Sequence, residues 1–422
     1  MREMKDSGIE WVGAIPTSWR TIQIKNLFTI LSGATPTPDT DNWDGDVLWI
    51  TPADYKTKDK YVSGGKRNIS QQGFNTCSTS MIPKGSIIFS KRAPIGTVAM
   101  NTEVLCTNQG CLSCVSKADT CNDYFFYVMS IGTEHFELLG SGTTFKEISA
   151  NSFSNCKLPC PDKCEQERIA DYLDNECDEL NTLISDIQSQ IEALEEYKKS
   201  LVFRVVSKGI KKANLKSTVS DVWTAIPENW ELIDIKYVFE IVKRIAGQEG
   251  FDVLSVTQKG LKVKDIESNN GQQAESYAGY QFVYPTDYVM NHMDLLTGWV
   301  DCSTMFGVTS PDYRVFRLRD KENNDLTYFK YVMQCCYMSR IFYSLGQGVS
   351  NLGRWRLQTS AFNNFMIPVP PLEEQREIAD YLDTKISEID TIIADKQKQI
   401  ETIEEYKKSL IFEYVTGKKE VQ

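Results

Sequence analysis

Residues 165–206 read EQERIADYLDNECDELNTLISDIQSQIEALEEYKKSLVFRVV, and residues 374–415 read EQREIADYLDTKISEIDTIIADKQKQIETIEEYKKSLIFEYV. The two stretches align without a gap at an offset of 209 residues, with 25 of 42 positions identical. Neither contains Pro or Gly, so nothing interrupts an intrahelical hydrogen-bond ladder. Leu180, Ile184, Ile187, Ile191, Leu194 and Leu201 recur at steps of four and three and then a full seven. Ile389, Ile393, Ile400, Ile403 and Leu410 keep the pattern, with Lys396 at the place of Ile187. So narrow an apolar stripe is the seam of a coiled coil. A helix of this length would run for roughly 60 Å at ~1.5 Å per residue. It needs a partner, and the other copy is the obvious one. The alternative is that each helix packs only on its own domain.

The repeat extends beyond the helices. Ile15-Pro16-x-x-Trp19 followed by Ile24-Lys25 returns as Ile226-Pro227-x-x-Trp230 followed by Ile235-Lys236, at an offset of 211. The chain is therefore a globular segment and a helix, then a second globular segment and a second helix. The expected boundaries are 1–160 and 213–370 for the globular domains. The helix, with its linker or tail, takes 161–212 and 371–422. The domain ends match between halves (Phe153 with Phe362, Leu158-Pro159 with Ile367-Pro368), whereas residues 240–350 show no register with the first half.

Each domain reads as mixed α/β, an α+β chain overall. Val47–Ile50, Ser86–Ser90, Thr97–Met100, Val253–Thr257 and Tyr313–Leu318 have strand composition. Asp123–Leu139 and Tyr328–Tyr343 have helical spacing. Asp162 is placed to cap the first long helix, with Glu165 three residues on.

The chain has 422 residues, with 19 Tyr and 19 Phe, enough for two real cores. No stretch resembles a signal peptide or a membrane span, so a cytoplasmic protein without a membrane partner is expected. Twelve cysteines then suggest reduced thiols. The net charge is −11, of which the helical segments 158–212 and 372–422 carry −4 and −5. The globular segments are near neutral, which leaves room for a local basic face on each.

Catalytic signatures are sparse. There is no phosphate-binding loop, zinc-protease motif or nucleophile elbow. Pro161-Asp162 with Glu196-Tyr197-Lys198 has a nuclease-like form, but Glu405-Tyr406-Lys407 repeats its second half as part of the coil. Cys106, Cys111, Cys114 and Cys121 approach an iron–sulfur spacing, yet Cys111 and Cys114 fall inside a strand pattern, so buried thiols are expected and no metal is assigned. The two histidines, His135 and His292, fall one in each half, and His135, in a helical stretch with apolar neighbours, reads as structural.

The basic loops are the better candidates for chemistry. Lys66, Arg67, Lys91, Arg92 and Lys146, with Thr143 and Thr144, fall in the first half. Lys259, Lys262, Lys264, Arg354, Trp355 and Arg356 fall in the second. Cations on loops beside aromatic and hydroxyl side chains suit phosphate contacts and base edges. A solvated surface charge is the plain alternative for any one of them.

The order of these features resembles the specificity subunits of type I restriction–modification systems. The paired I-P-x-x-W motifs, Ser90-Lys-Arg-Ala-Pro-Ile-Gly96, the loop Gly346–Arg356 and the two Pro-led Glu-Gln-x-x-Ile-Ala-Asp-Tyr-Leu helices carry the likeness. The resemblance implies two target recognition domains, each reading half of a bipartite site in double-stranded DNA, and two repeat helices paired as an antiparallel coiled coil. It implies two modification (methyltransferase) subunits and restriction subunits as partners. S-adenosylmethionine, ATP and Mg would sit on those partners, and this chain would have no catalytic residue or cofactor. Rival readings are a coiled-coil adaptor that never touches DNA and a self-sufficient metalloenzyme.

Overall fold

The computed structural model describes residues 2–56, 59–117, 119–142, 146–265, 274–347 and 355–421. The two repeats form unbroken helices, Lys163–Lys208 and Leu372–Val415. Asp162 caps the first, its carboxylate accepting from the Glu165 N–H at 2.9 Å. Glu165 does not return the bond. Its own carboxylate accepts from the buried Trp19 indole at 2.9 Å and from Arg2, which ties the helix start to the I-P-x-x-W motif.

Packing divides the chain into two compact units: residues 1–187 with 398–422, and residues 188–397. Each long helix therefore begins in one unit and ends in the other. In the first unit the Tyr172 and Tyr414 rings meet at 4.6 Å, and Lys407 Nζ donates to Asn181 at 2.7 Å. In the second, Lys396 Nζ donates to Gln190 and Lys198 pairs with Asp390, both at 2.5 Å. In each pair of contacts, a later residue on one helix meets an earlier one on the other, so the helices run antiparallel. Lys198 and Lys407 are equivalent in the repeat, as are Asn181 and Asp390, so the two contacts are copies. Every expected seam residue is buried or half-buried, from Leu180 to Leu201 and from Ile389 to Leu410. Lys396 is accommodated at the seam edge by its hydrogen bond to Gln190.

The ends of the domains repeat residue for residue. Arg20–Gln23 pairs antiparallel with Lys157–Cys160, and Glu231–Asp234 with Met366–Val369, in the same register. Met4–Asp6 with Ala14–Pro16 likewise matches Leu215–Ser217 with Ala225–Pro227.

The domain centres also repeat, although their sequences show no register. In the first unit Phe28–Ser32 pairs with Cys111–Ser116, which pairs with Ile87–Lys91, which pairs with Ile95–Asn101, all antiparallel. Tyr61–Val62 adds a parallel edge. In the second unit Phe239–Val242, Arg314–Leu318, Tyr288–Met290 and Val300–Cys302 follow the same antiparallel order. A sheet core requires alternating burial and the right volume, not particular side chains, so the topology survives where identity does not.

Each expected domain helix is two helices. Asn122–Ile131 and Thr133–Leu138 are separated at Gly132, and Leu326–Met338 and Ile341–Ser344 at Arg340, whose φ is +54°. Apolar spacing continues across both breaks, which is why periodicity alone reads them as single helices. The expected strand at 47–50 is likewise split, into Trp43–Val47 and Trp49–Ile50.

Both cores are closed by the far end of a long helix. In the first unit Leu410, Ile411 and Val415 are buried among Phe125, Phe153, Ile169 and Leu173. The fully buried Tyr124 hydroxyl donates to the Val415 carbonyl at 2.9 Å. In the second unit Leu201, Val202, Val205 and Val206 take those places, and Tyr328 donates to the Pro368 carbonyl at 3.0 Å and reaches that of Val206 at 3.5 Å.

Candidate nucleic-acid interface

The expected contact residues are spread over several loops, of which one is a hairpin of the central sheet. In the first domain the hairpin between Ile87–Lys91 and Ile95–Asn101 turns through Arg92, Ala93 (φ +56°) and Pro94, the Ala93–Pro94 peptide being cis. Lys91 and Arg92 sit there, but neither is bare. Lys91 Nζ lies 2.8 Å from one Glu147 oxygen and Arg92 Nη1 lies 3.4 Å from the other. The lysine ammonium, with a smaller effect from the arginine, holds the Glu147 carboxyl below its ordinary range.

Arg67 is exposed, yet both arms of its guanidinium hydrogen-bond to Asp44 at 3.0 Å, and it stacks over the Trp43 ring at 4.3 Å. Lys66 is an exposed side chain whose backbone N–H donates to Asp54 at 3.0 Å. Lys146 is exposed. Thr143, Thr144 and Arg354 lie outside the described residues.

In the second domain Lys259 and Lys262 are exposed on the hairpin Leu254–Thr257/Gly260–Val263, whose turn needs Gly260 at φ +97°. Lys264 is half-buried, its N–H bonded to the Val253 carbonyl. Trp355 packs on the Tyr343 ring at 5.1 Å, while Arg356 projects to solvent from a two-hydrogen-bond bridge with Gln347.

Sequence reading found the cations and missed their partners. Asp44, lying 23 residues from Arg67, and Glu147, lying 55 from Arg92, carry no local signal. It also missed Arg314, a buried guanidinium that donates to the Leu357 carbonyl at 3.1 Å and stacks over Phe362 at 4.5 Å. Cys111 and Cys114 do lie in one strand, but the Cys106, Cys111 and Cys114 thiols belong to three separate apolar clusters rather than converging. Burial pushes Cys111 up to about 12.

His292 is 8% exposed and its Nδ1 has no hydrogen-bond partner among the described residues. Burial, with Arg314 and Arg356 nearby, lowers its pKa from 6.5 to about 3. Below the ordinary value the unfolded chain therefore takes up a proton that the folded chain refuses. Stability of the second unit should fall as pH drops from neutral through that window, by about 2 kcal/mol at pH ~5 given ~1.4 kcal/mol per pKa unit. Denaturant melts of wild type and His292→Asn at both pH values measure this. Equal pH dependence in the two proteins would contradict it.

The fold defines a class: a duplicated protein whose two units share one order of four antiparallel strands and in each of which segments of the two long helices pair antiparallel. Comparison with known proteins gives the family. The model of the type I restriction modification DNA specificity domain matches at residues 16–193 and again at 227–402, and the chain belongs to that family. It is similar to the Methanocaldococcus jannaschii type I restriction enzyme MjaIX specificity subunit, with 34% identity over 188 residues. That match spans 44% of this chain and 43% of the relative, less than half of its length. The MjaVIII specificity subunit of the same organism is 27% identical over 318 residues, 70% of this chain and 69% of that one. Among solved structures, a chain from a study of complex assembly and conformational transition of a type I R-M system shares the fold. Its TM-score is 0.67 at 13% identity, covering 95% of this chain and 98% of that one. The resemblance read from the sequence and the expected fold are thus borne out. Among the described residues no helix is long and apolar enough to cross a membrane.

Proposed function

We propose that this chain is the DNA sequence-recognition subunit of a type I restriction–modification complex, each globular domain reading one half of a bipartite, asymmetric site. The observation that carries the reading is the doubled match to one DNA specificity domain, falling on two units with the same order of four antiparallel strands. Equal frames with unlike loops suit two similar but non-identical half-sites. The paired helices set the gap and dock two modification subunits, through which restriction subunits join. This subunit is non-catalytic: S-adenosylmethionine, ATP and Mg belong to the partners. Their subunits also share the phosphate contacts, which accommodates a chain of net charge −11.

Long-read mapping of methylated bases in the host, with and without this chain, tests the proposal. Loss of one interrupted motif is the expected result, and an unchanged methylome overturns it. In the same assay Arg354→Ala with Arg356→Ala should relax only the half-site read by the second domain. The expected loss is ten- to a hundredfold in discrimination, since a bidentate arginine contact is worth about 1–3 kcal/mol. Equal losses at both halves would count against two independent readers.

A further inference from the structure

The shared topology lets the two loop bases be compared residue by residue. The strand registers make Ile87 the counterpart of Tyr288, and counting on makes Lys91 the counterpart of His292. The backbone agrees: Ile148 N–H donates to the Lys91 carbonyl at 3.1 Å, and Leu357 N–H to the His292 carbonyl at 3.0 Å. One residue earlier stand Glu147 and Arg356, each in a two-hydrogen-bond bridge, with Ser141 and with Gln347 respectively. One scaffold therefore carries opposite charges. In the first domain an acid lies between two cations. In the second an exposed arginine lies beside a neutral histidine, and no acid pairs with its guanidinium among the described residues.

We infer that Glu147 occupies, in the first domain, the place of a DNA phosphate: it holds Lys91 and Arg92 in position and must be displaced when the first half-site is bound. This rests on the DNA-reading function proposed above. A carboxylate bridging an ammonium and a guanidinium presents two anionic oxygens to the same donors that a phosphate would use. The side chains of Arg92 and Glu147 are 36% and 35% exposed, so the contact is open to exchange, with Lys91 behind it at 15%. The device weakens indiscriminate attraction of the first domain to any duplex. An ion pair this exposed contributes little to stability, so its geometry can serve binding instead. Among the described residues the second domain has no such competitor, and Arg356 meets DNA without one. Glu147 is thus a positioning residue that sets the balance between specific and non-specific binding.

The test uses the assembled complex with its modification subunits and three duplexes: the full target, the target with its first half scrambled, and the target with its second half scrambled. Glu147→Gln keeps the shape and removes the charge. Glu147→Arg copies what the second domain already carries on this backbone, and serves if the glutamine variant misfolds. Affinity for the duplex scrambled in its first half should rise about three- to tenfold in either variant. The slope of log affinity against log salt should steepen by up to about one, the release expected for one more neutralised phosphate. Added to Glu147→Gln, Lys91→Gln with Arg92→Gln should abolish both effects. Unchanged affinity and slope in both Glu147 variants, with wild-type complex still binding its target, would overturn the inference and leave the DNA-reading function standing. Failure of the wild-type complex to bind any of the duplexes would overturn both.

Discussion

A chain ending at residue 397 should lose the fold of its first domain and keep that of its second. The reason is that residues 398–422 pack in the first unit, hundreds of positions from the domain they complete. Leu410, Ile411 and Val415 are each at most 6% exposed there. Burying three such side chains stabilises by roughly 5–9 kcal/mol at about 1.5–3 kcal/mol each. Truncation also removes the Val415 carbonyl that the Tyr124 hydroxyl reaches at 2.9 Å, leaving it only the longer bond to the Pro159 carbonyl at 3.3 Å, a loss of about 0.5–1.5 kcal/mol. A domain is stable by only about 5–15 kcal/mol, so the loss is comparable to the whole. Hydrogen–deuterium exchange reads the result directly. Protection should vanish at 28–32, 87–101 and 111–116, and persist at 239–242 and 314–318. Persistent protection in the first set would show that the C-terminal end is an accessory rather than part of that core. Val415→Asp offers the same test without shortening the chain.

The second large effect concerns the target gap. One heptad inserted after Ile187 and another after Gln397 lengthens both long helices where packing passes from one unit to the other. Both insertions are needed, because an antiparallel seam lengthened on one side only falls out of register. Seven residues keep the three-and-four spacing of the seam, whereas five would rotate its apolar edge to solvent. The added rise is ~10 Å, about three base pairs at ~3.4 Å each. The methylated motif should keep both halves and gain about three base pairs between them. An unchanged gap in a folded, active complex would refute the ruler role of the helices.

The distribution of charge shows how much of the candidate site is legible before folding. Lys91, Arg92 and Arg67 stand out in the sequence because cations on turns are local features. Their meaning changes once Glu147 and Asp44 are found against them. Arg67, fixed by Asp44 and the Trp43 face, has the weaker claim to a phosphate. Arg356 has the stronger one, and only the backbone equivalence of 147 and 356 shows that the two domains differ at this point by a reversal of charge.

The sequence by itself determined the duplication, the two long helices, the seam from Leu180 to Leu201 with its copy from Ile389 to Leu410, and the framing motifs around Trp19 and Trp230. Each is a matter of spacing between neighbours on one chain segment, which the period of a helix or the alternation of a strand fixes locally. The tertiary structure alone decided that Val415 completes the first core and Val206 the second. It alone revealed the common sheet order beneath unlike sequences, and the acids that hold the basic loops. These depend on pairings between residues far apart in the chain, chosen by burial and charge only once the sheets and helices are in place.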